Sequence, residues 1–269
     1  MKKLFALLLA LSMMMTMAAG LAEDAAPALQ KNLVILFTSD VHCGVEQNWG
    51  VAGLYALRQK LEADGNYTLL VDDGDYTQGE PMGTMTQGEA LIDIMNATGY
   101  DIAIPGNHDF DYGMDAFLAM TKKAKFPYIS ANFEKDGELV FPPYVIKEFD
   151  GVKFAFVGAT TPMTLTTSTP RYFQDEAGNW VYDFMQDGTG EKFYAGIQKA
   201  VDDARAEGAN YVFIMAHLGN EAEASPYRYD DLITHITGVD ALMDGHAHAV
   251  NVSRRFHPFE HQAAGRNLR

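Results

Sequence analysis

Short apolar runs, each ending in a polar loop, recur along the first half of the chain. Leu33 to Phe37 is continuous in apolar residues, as in a strand buried on both faces, and leads into a loop from Thr38 to Gly50. Val51, Leu54, Leu57 and Leu61 then recur at helical spacing. Tyr67 to Val71 reads as a second strand, followed by Asp72-Asp73-Gly74-Asp75 and a Gly-rich loop. Glu89 to Ala97 reads as a helix, Asp101 to Ile104 as a third strand and Met114 to about Lys123 as another helix. Strand, loop and helix in alternation predict a layered α/β domain with mainly parallel strands, whose polar loops gather at the strands' carboxyl ends.

The rhythm changes at Tyr128. Tyr128 to Ala131 reads as a short strand, and Tyr144 to Phe149 with Val152 to Gly158 flank Asp150-Gly151, a strong two-residue hairpin signal. A second, antiparallel region is therefore expected. Thr160 to Gly190 is rich in Thr, Gly and aromatics without a clean period, which predicts a long surface loop. A helix from about Glu191 to Ala206, a strand from Tyr211 to Met215, a helix from Asp231 to Thr237 and a strand from Val239 to Met243 complete the pattern.

Composition narrows the setting. With 269 residues and 48% hydrophobic content, the chain can bury one large core or two smaller ones. Residues 1–22 carry Lys2 and Lys3, an apolar run to about Met17 and a small-residue end at Ala22, the pattern of a Sec-type signal peptide. Export to the periplasm, cell surface or medium is expected, without stable membrane insertion once the leader is removed. Residues 23–32 read as a flexible lead-in. Cys43 is the only cysteine, so no internal disulfide can form. The net charge of −16 becomes two units more negative without the leader, which argues against nucleic acid or anionic membrane as a partner. Bound cations would reverse the sign locally and admit an anionic substrate. Oligomeric state leaves no signal.

Candidate chemistry sits in the loops that follow apolar runs. Gly106-Asn107-His108-Asp109-Phe110-Asp111 crowds an amide, an imidazole and carboxylates into six residues after Pro105, which disfavours a helix. Asp40-Val41-His42, Gly74-Asp75, His217 and Gly245-His246-Ala247-His248 offer groups of the same kind. Each has a bland reading as a cap, turn or loop residue. Asp40, His42, Asp75, Asn107, His217, His246 and His248 together give two divalent ions four protein ligands each if one carboxylate is shared. Imidazole with oxygen ligands suits Zn, Mn, Fe, Co or Ni. Two such ions clamp the oxygens of an in-line displacement, the chemistry that phosphoester hydrolysis needs. Cys43 reads as a packed residue beside this cluster, Asp72 and Asp73 as supporting loop groups, Tyr76 and Gln78 as pocket lining, and His235, His257 and His261 as ordinary loop histidines.

Asp-x-His, Gly-Asp, Gly-Asn-His-Asp, a lone His and Gly-His-x-His, in that order, resemble the motif set of the calcineurin-like metallophosphoesterases. The wider forms around Asn107 and His217 look most like the amino-terminal catalytic domain of the exported 5′-nucleotidase and UDP-sugar hydrolase group. The similarity spans about Leu33 to His248. It implies an α/β fold, a four-layer α/β/β/α metallophosphoesterase sandwich, with a catalytic domain over 33–252 that lacks its last strands. By the same resemblance Asp40, His42, Asp75 and His248 hold one ion, and Asp75, Asn107, His217 and His246 the other. His108 matches the family's catalytic imidazole and Asp111 the acid that orients it, with Asp109 a rival for that role. The nucleophile implied is a hydroxide between the ions, and the substrate a small phosphorylated molecule, a nucleotide in the resembled group. His248 departs from the Gln often found there in that group.

Residues 253–269 hold Arg254, Arg255, Arg266 and Arg269, half of the chain's arginines, with neither strand alternation nor a helical face. They read as foreign to the rest, as after a frameshift or truncation, and the carboxyl-terminal domain that grips the nucleoside in the resembled group is not represented. Three readings stay open: a 5′-nucleotidase-type phosphomonoesterase, a phosphodiesterase or UDP-sugar hydrolase of the same chemistry, and a catalytically silent metal-binding module.

Overall fold

A computed structural model describes residues 27–249. The leader, the first four residues of the lead-in, and the tail with its arginines, His257 and His261 lie outside these residues. The described chain runs β1 (Leu33–Thr38), α1 (Gly50–Ala63), β2 (Tyr67–Asp72), α2 (Pro81–Thr86), α3 (Glu89–Thr98), β3 (Ile102–Ala103), α4 (Met114–Lys123), β4 (Glu134–Lys135), β5 (Glu138–Leu139), β6 (Tyr144–Phe149), β7 (Val152–Thr160), α5 (Thr164–Thr167), β8 (Tyr182–Asp183), α6 (Glu191–Ala206), β9 (Tyr211–His217), α7 (Tyr229–His235) and β10 (Ala241–Asp244).

Two sheets form the centre. The first has the order β1-β2-β3, all parallel; the second has the order β10-β9-β7-β6, parallel except for β6. Because successive side chains of a strand point to opposite faces, single strands divide their residues between two cores. In β7, Phe154 and Phe156 enter the layer between the sheets, whereas Ala155, Val157 and Ala159 face the helical side. Strand β9 does the same with Met215 against Val212, Ile214 and Ala216, and β2 with Leu69 and Val71 against Leu70. The outer cores are closed by α3 and α4 on the first sheet, through Leu91, Ile92, Met95, Phe117 and Met120, and by α6 on the second, through Phe193, Ile197, Val201 and Ala204. Three apolar interfaces separate four layers, so the fold is an α/β/β/α sandwich.

Several sequence expectations need correction. Strand β1 is only half-buried and Phe37 is 50% exposed, because β1 lies at the edge of its sheet. The region after Tyr128 is antiparallel in the β6–β7 hairpin, where Asp150 and Gly151 both take positive φ as a tight primed turn requires, in the small β5-β4-β8 sheet and in the lone Gln174–Trp180 bridge. Tyr128 to Ala131 forms a single bridge to Ala103 instead of a strand. Its backbone crosses between the sheets, Ile129 N–H bonding Ala103 on one and Ala131 N–H bonding Gly158 on the other. The Gly-rich loop after Asp75 contains α2, begun by Pro81 at a first-turn position where its missing N–H costs nothing.

The largest correction concerns Thr160 to Gly190. Far from being a surface loop, it contains α5, a 3₁₀ turn and β8, and sends Leu165, Phe173 and Phe184 into the first core. Isolated anchors separated by irregular backbone produce burial without periodicity. Phe110 is the centre of that aromatic cluster, 4.2 Å from the Phe117 ring and between 5.3 and 5.7 Å from Phe133, Phe173 and Phe184. Phe110→Ala should lower unfolding free energy by about 3–5 kcal/mol, read as a lower denaturant midpoint. A loss under about 1 kcal/mol would mean that this cluster does not anchor the Asn107 loop.

Candidate metal centre

Each polar loop singled out in the sequence follows the carboxyl end of a parallel strand: Asp40 and His42 follow β1, Asp75 follows β2, Asn107 follows β3, His217 ends β9, and His246 and His248 follow β10. The rim of the sandwich therefore collects them all. Loop pairing extends the sheet: the N–H groups of Asp40, His42 and Cys43 bond the carbonyls of Gly74, Asp75 and Tyr76. Gly74 and Gly106 meet back to back, and a Cβ on Gly106 would collide with the backbone N and Oδ1 of Asp75.

Asp75 Oδ2 and Asn107 Oδ1 both lie 3.1 Å from His217 Nε2. His217 Nδ1 donates to the Asp73 carbonyl at 2.7 Å, which leaves Nε2 as the lone-pair nitrogen when the ring is neutral. Three lone pairs then converge with no hydrogen among them, an arrangement that suits a cation. In the ion-free chain a proton fills that role. Burial opposes charge on His217, but Asp75, Asp40 and the Asp73 carbonyl outweigh it and push its pKa up to about 10. Burial likewise works against ionised Asp75, yet the His217 and His108 imidazoles hold it well below the usual carboxylate range. His246 completes this group, its pKa lowered by burial and by His217, and its backbone N–H donates to Asp40 at 3.0 Å.

A second group stands beside the first. His42 Nε2 lies 3.3 Å from His248 Nε2 and 3.8 Å from Asp75 Oδ2, and His248 Nε2 lies 3.5 Å from Asp40 Oδ1. Within each of the triads Asp40, His42, His248 and Asp75, His217, His246, one ligand atom per residue lies within 4.8 Å of the others. Donors bound to one ion at about 2.0–2.2 Å sit roughly 3–4 Å apart, so imidazole and carboxylate donors at these separations fit a divalent transition metal. Asp75 lies between the two groups. Five of the seven residues, Asp40, His42, Asp75, His246 and His248, have positive φ between 45° and 75°. Such left-handed backbone is uncommon outside glycine and clusters at functional sites.

His108 lies on the open side, its ring 5.5 Å from that of His42. Its Nδ1 is 2.7 Å from Asp111 Oδ2, and its backbone N–H donates to Asp75 Oδ1. The Asp111 bond raises the His108 pKa against the opposing effect of burial. Asp109, the rival carboxylate, turns inward and accepts from the N–H groups of Asp75, Gly106 and Thr77 and from the Thr77 hydroxyl. Gln78 faces His42 Nδ1 through its carbonyl and its amide oxygen, both at 3.2 Å. Tyr76 does not line the site but packs edge-on to Tyr100 in the first core. Cys43 is buried, its thiol bonded to the Thr77 carbonyl and its pKa pushed up by burial. His235 closes α7 and stacks on Tyr194, far from any loop role.

Supporting groups escaped the sequence reading. The Ser39 hydroxyl holds Asp40 Oδ2 at 2.5 Å, Asp244 accepts the N–H groups of Leu218 and Gly219, and Ser168 Oγ holds Asp111 Oδ1 at 2.8 Å. Ser39 and Asp244 neighbour motif residues, a usable signal. Ser168 is 57 residues from Asp111 and has none.

Residues 33–250 match the family model described as calcineurin-like phosphoesterase. A trifunctional nucleotide phosphoesterase, YfkN of Bacillus subtilis, is 29% identical over 87% of this chain and 18% of its own length; human 5′-nucleotidase is 29% identical over 90% of this chain and 41% of its own. The chain thus spans less than half the length of these relatives. The crystal structure of the B. subtilis YfkN calcineurin-like phosphoesterase superposes with a TM-score of 0.66 at 29% identity, covering 80% of this chain and 72% of that one. Fold, motif order and this match agree: the chain belongs to the calcineurin-like phosphoesterases, a family of metal-dependent phosphoester hydrolases.

Proposed function

We propose that this chain is an exported phosphoester hydrolase that uses two divalent metal ions and acts on nucleotides in the manner of a 5′-nucleotidase. The observation that carries the reading is the convergence of Asp75 Oδ2 and Asn107 Oδ1 on His217 Nε2, each at 3.1 Å, beside the second triad and with the His108–Asp111 pair joined to Asp75 by the His108 N–H. In this reading Asp40, His42, Asp75 and His248 hold one ion, Asp75, Asn107, His217 and His246 hold the other, and Asp75 is shared. When bound, a pair of divalent cations supplies Lewis-acid charge and activates water near neutral pH. The side chains do the rest. Asp111 fixes the His108 ring by Nδ1, so Nε2 is left to meet the phosphoryl or leaving oxygen, and the raised pKa keeps a proton available there. Ser39 and Gln78 set the angles of Asp40 and His42. Names of relatives that act on nucleotides support the substrate class, and the leader pattern of residues 1–22 supports export. No helix among the described residues is long and apolar enough to cross a membrane.

Manganese- or zinc-loaded protein should hydrolyse AMP and p-nitrophenyl phosphate, and His108→Ala should lower kcat by about 10²–10⁴-fold while metal content stays constant. Metal uptake without turnover in the wild type would favour the silent metal-binding reading, and faster turnover of a cyclic diester or UDP-sugar than of AMP the diesterase one.

Asp75→Asn should reduce bound metal below two ions per chain by elemental analysis, since a shared carboxylate serves both. An unchanged ratio would remove Asp75 from the bridging position.

Metal uptake should release a proton from His217. With its pKa raised from 6.5 to about 10, His217 is charged at pH 7.5 in the ion-free chain, so apparent metal affinity should climb with pH up to about 10. Calorimetry in buffers of different ionisation enthalpy reads this directly, and equal heats across buffers would contradict it.

A further inference from the structure

We propose that Ser168 is a positioning residue for hydrolysis: its hydroxyl braces Asp111, and through Asp111 it fixes the ring of His108. The inference rests on the hydrolase reading above and extends it to a segment that no motif marks. Asp111 is held from two sides, Oδ2 by His108 Nδ1 at 2.7 Å and Oδ1 by Ser168 Oγ at 2.8 Å. A carboxylate gripped at one oxygen can still turn about its Cβ–Cγ bond. Gripped at both, it presents one fixed acceptor to the imidazole.

Ser168 is itself placed by the rim. Thr160 Oγ1 donates to the carbonyl of Pro105, just ahead of the Asn107 loop, and Thr161 N–H donates to the carbonyl of His217. The Thr161 carbonyl in turn accepts the N–H and the hydroxyl of Thr164, which opens the short helix α5, and Ser168 N–H closes that helix on the Thr164 carbonyl. Thr160, Thr161 and Thr164 are fully buried, and Ser168 is nearly so. Eight residues, Thr161 to Ser168, therefore run from the backbone of His217 to the carboxylate that orients His108. The segment ties the metal-holding side of the site to its proton-handling side through the hydrogen bonds of the buried residues Thr161, Thr164 and Ser168. Because Asp111 and Ser168 come from different parts of the chain, the brace forms only once Thr160 to Ser168 has packed.

The test compares Ser168→Ala with the conservative Ser168→Thr, which keeps the hydroxyl. Ser168→Ala should lower kcat on AMP by about tenfold, a fraction of what the imidazole itself supplies, with KM, metal content and thermal midpoint near wild type. Ser168→Thr should restore most of the loss. In a His108→Ala background the Ser168→Ala change should have no further effect, because the brace acts only through that ring; independent losses would mean a general structural role and overturn the proposal. Proton NMR supplies a reading free of activity. The His108 Nδ1–H signal, assigned by its disappearance in His108→Ala, should be sharp in the wild type, broadened by exchange in Ser168→Ala and sharp again in Ser168→Thr. An unchanged signal with unchanged kcat in Ser168→Ala overturns the brace. A signal that responds as described, in a metal-loaded wild type that hydrolyses no phosphoester, upholds the brace and sinks the hydrolase reading instead.

Discussion

The hydrogen bond from His217 Nδ1 to the Asp73 carbonyl joins the two sheets at their rim, and the donor cluster depends on it. His217 ends a strand of the second sheet, while Asp73 follows one of the first. What brings them within 2.7 Å is the layer below, where Val71, Ile102 and Ile104 meet Phe156 and Met215 with no exposed surface. Apolar packing between sheets thus decides which imidazole nitrogen carries the hydrogen. Native interiors resist small shifts because they are close-packed, so the spacing of Asp75, Asn107 and His217 inherits the rigidity of that layer.

The rim concentrates negative charge in a dry place. Asp72, Asp73, Asp75 and Asp109 are all buried, and buried carboxylates are costly unless hydrogen-bonded or paired. Three of them are served: Asp72 by Thr38 and the Gly74 N–H, Asp75 by His108 N–H and His217, and Asp109 by Gly106 and Thr77. Asp73 is not, since neither side-chain oxygen has a partner, and burial followed by the nearby Asp72 and Asp244 pushes it well above the usual carboxylate range. What the site uses is the Asp73 backbone, whose carbonyl accepts from His217 Nδ1.

The fold was legible where one physical rule dominated. Hydrophobic period placed α4 and α6 at their observed ends, and Asp150-Gly151 set the hairpin register, because helix faces and two-residue turns are local problems. Thr160 to Gly190 reads as a loop because its burial comes from single anchors such as Phe173 and Phe184, whose partners lie far away in the chain. The residues that meet at the rim could be listed from motif order, since loops after parallel strands converge whatever their sequence separation. The choice of Asp111 over Asp109 at His108 depended on which carboxylate turned inward, a question settled by Thr77 and by the Gly106 N–H. Ser168 had no local rule to announce it.

The left-handed backbone at Asp40, His42, Asp75, His246 and His248 bears on how the centre can be dissected. Asn and Asp tolerate that region through local side-chain hydrogen bonds, whereas any other residue with a Cβ meets a steric cost of roughly 1–2 kcal/mol. Alanine at Asp40 or Asp75 would remove a donor and that local compensation at once, and the two effects could not be told apart in a single measurement. Asparagine is the cleaner replacement, keeping the local chain path while changing the donor. The loops that bring these donors together are therefore narrow in the residues they accept, for reasons of chain geometry as much as of donor chemistry.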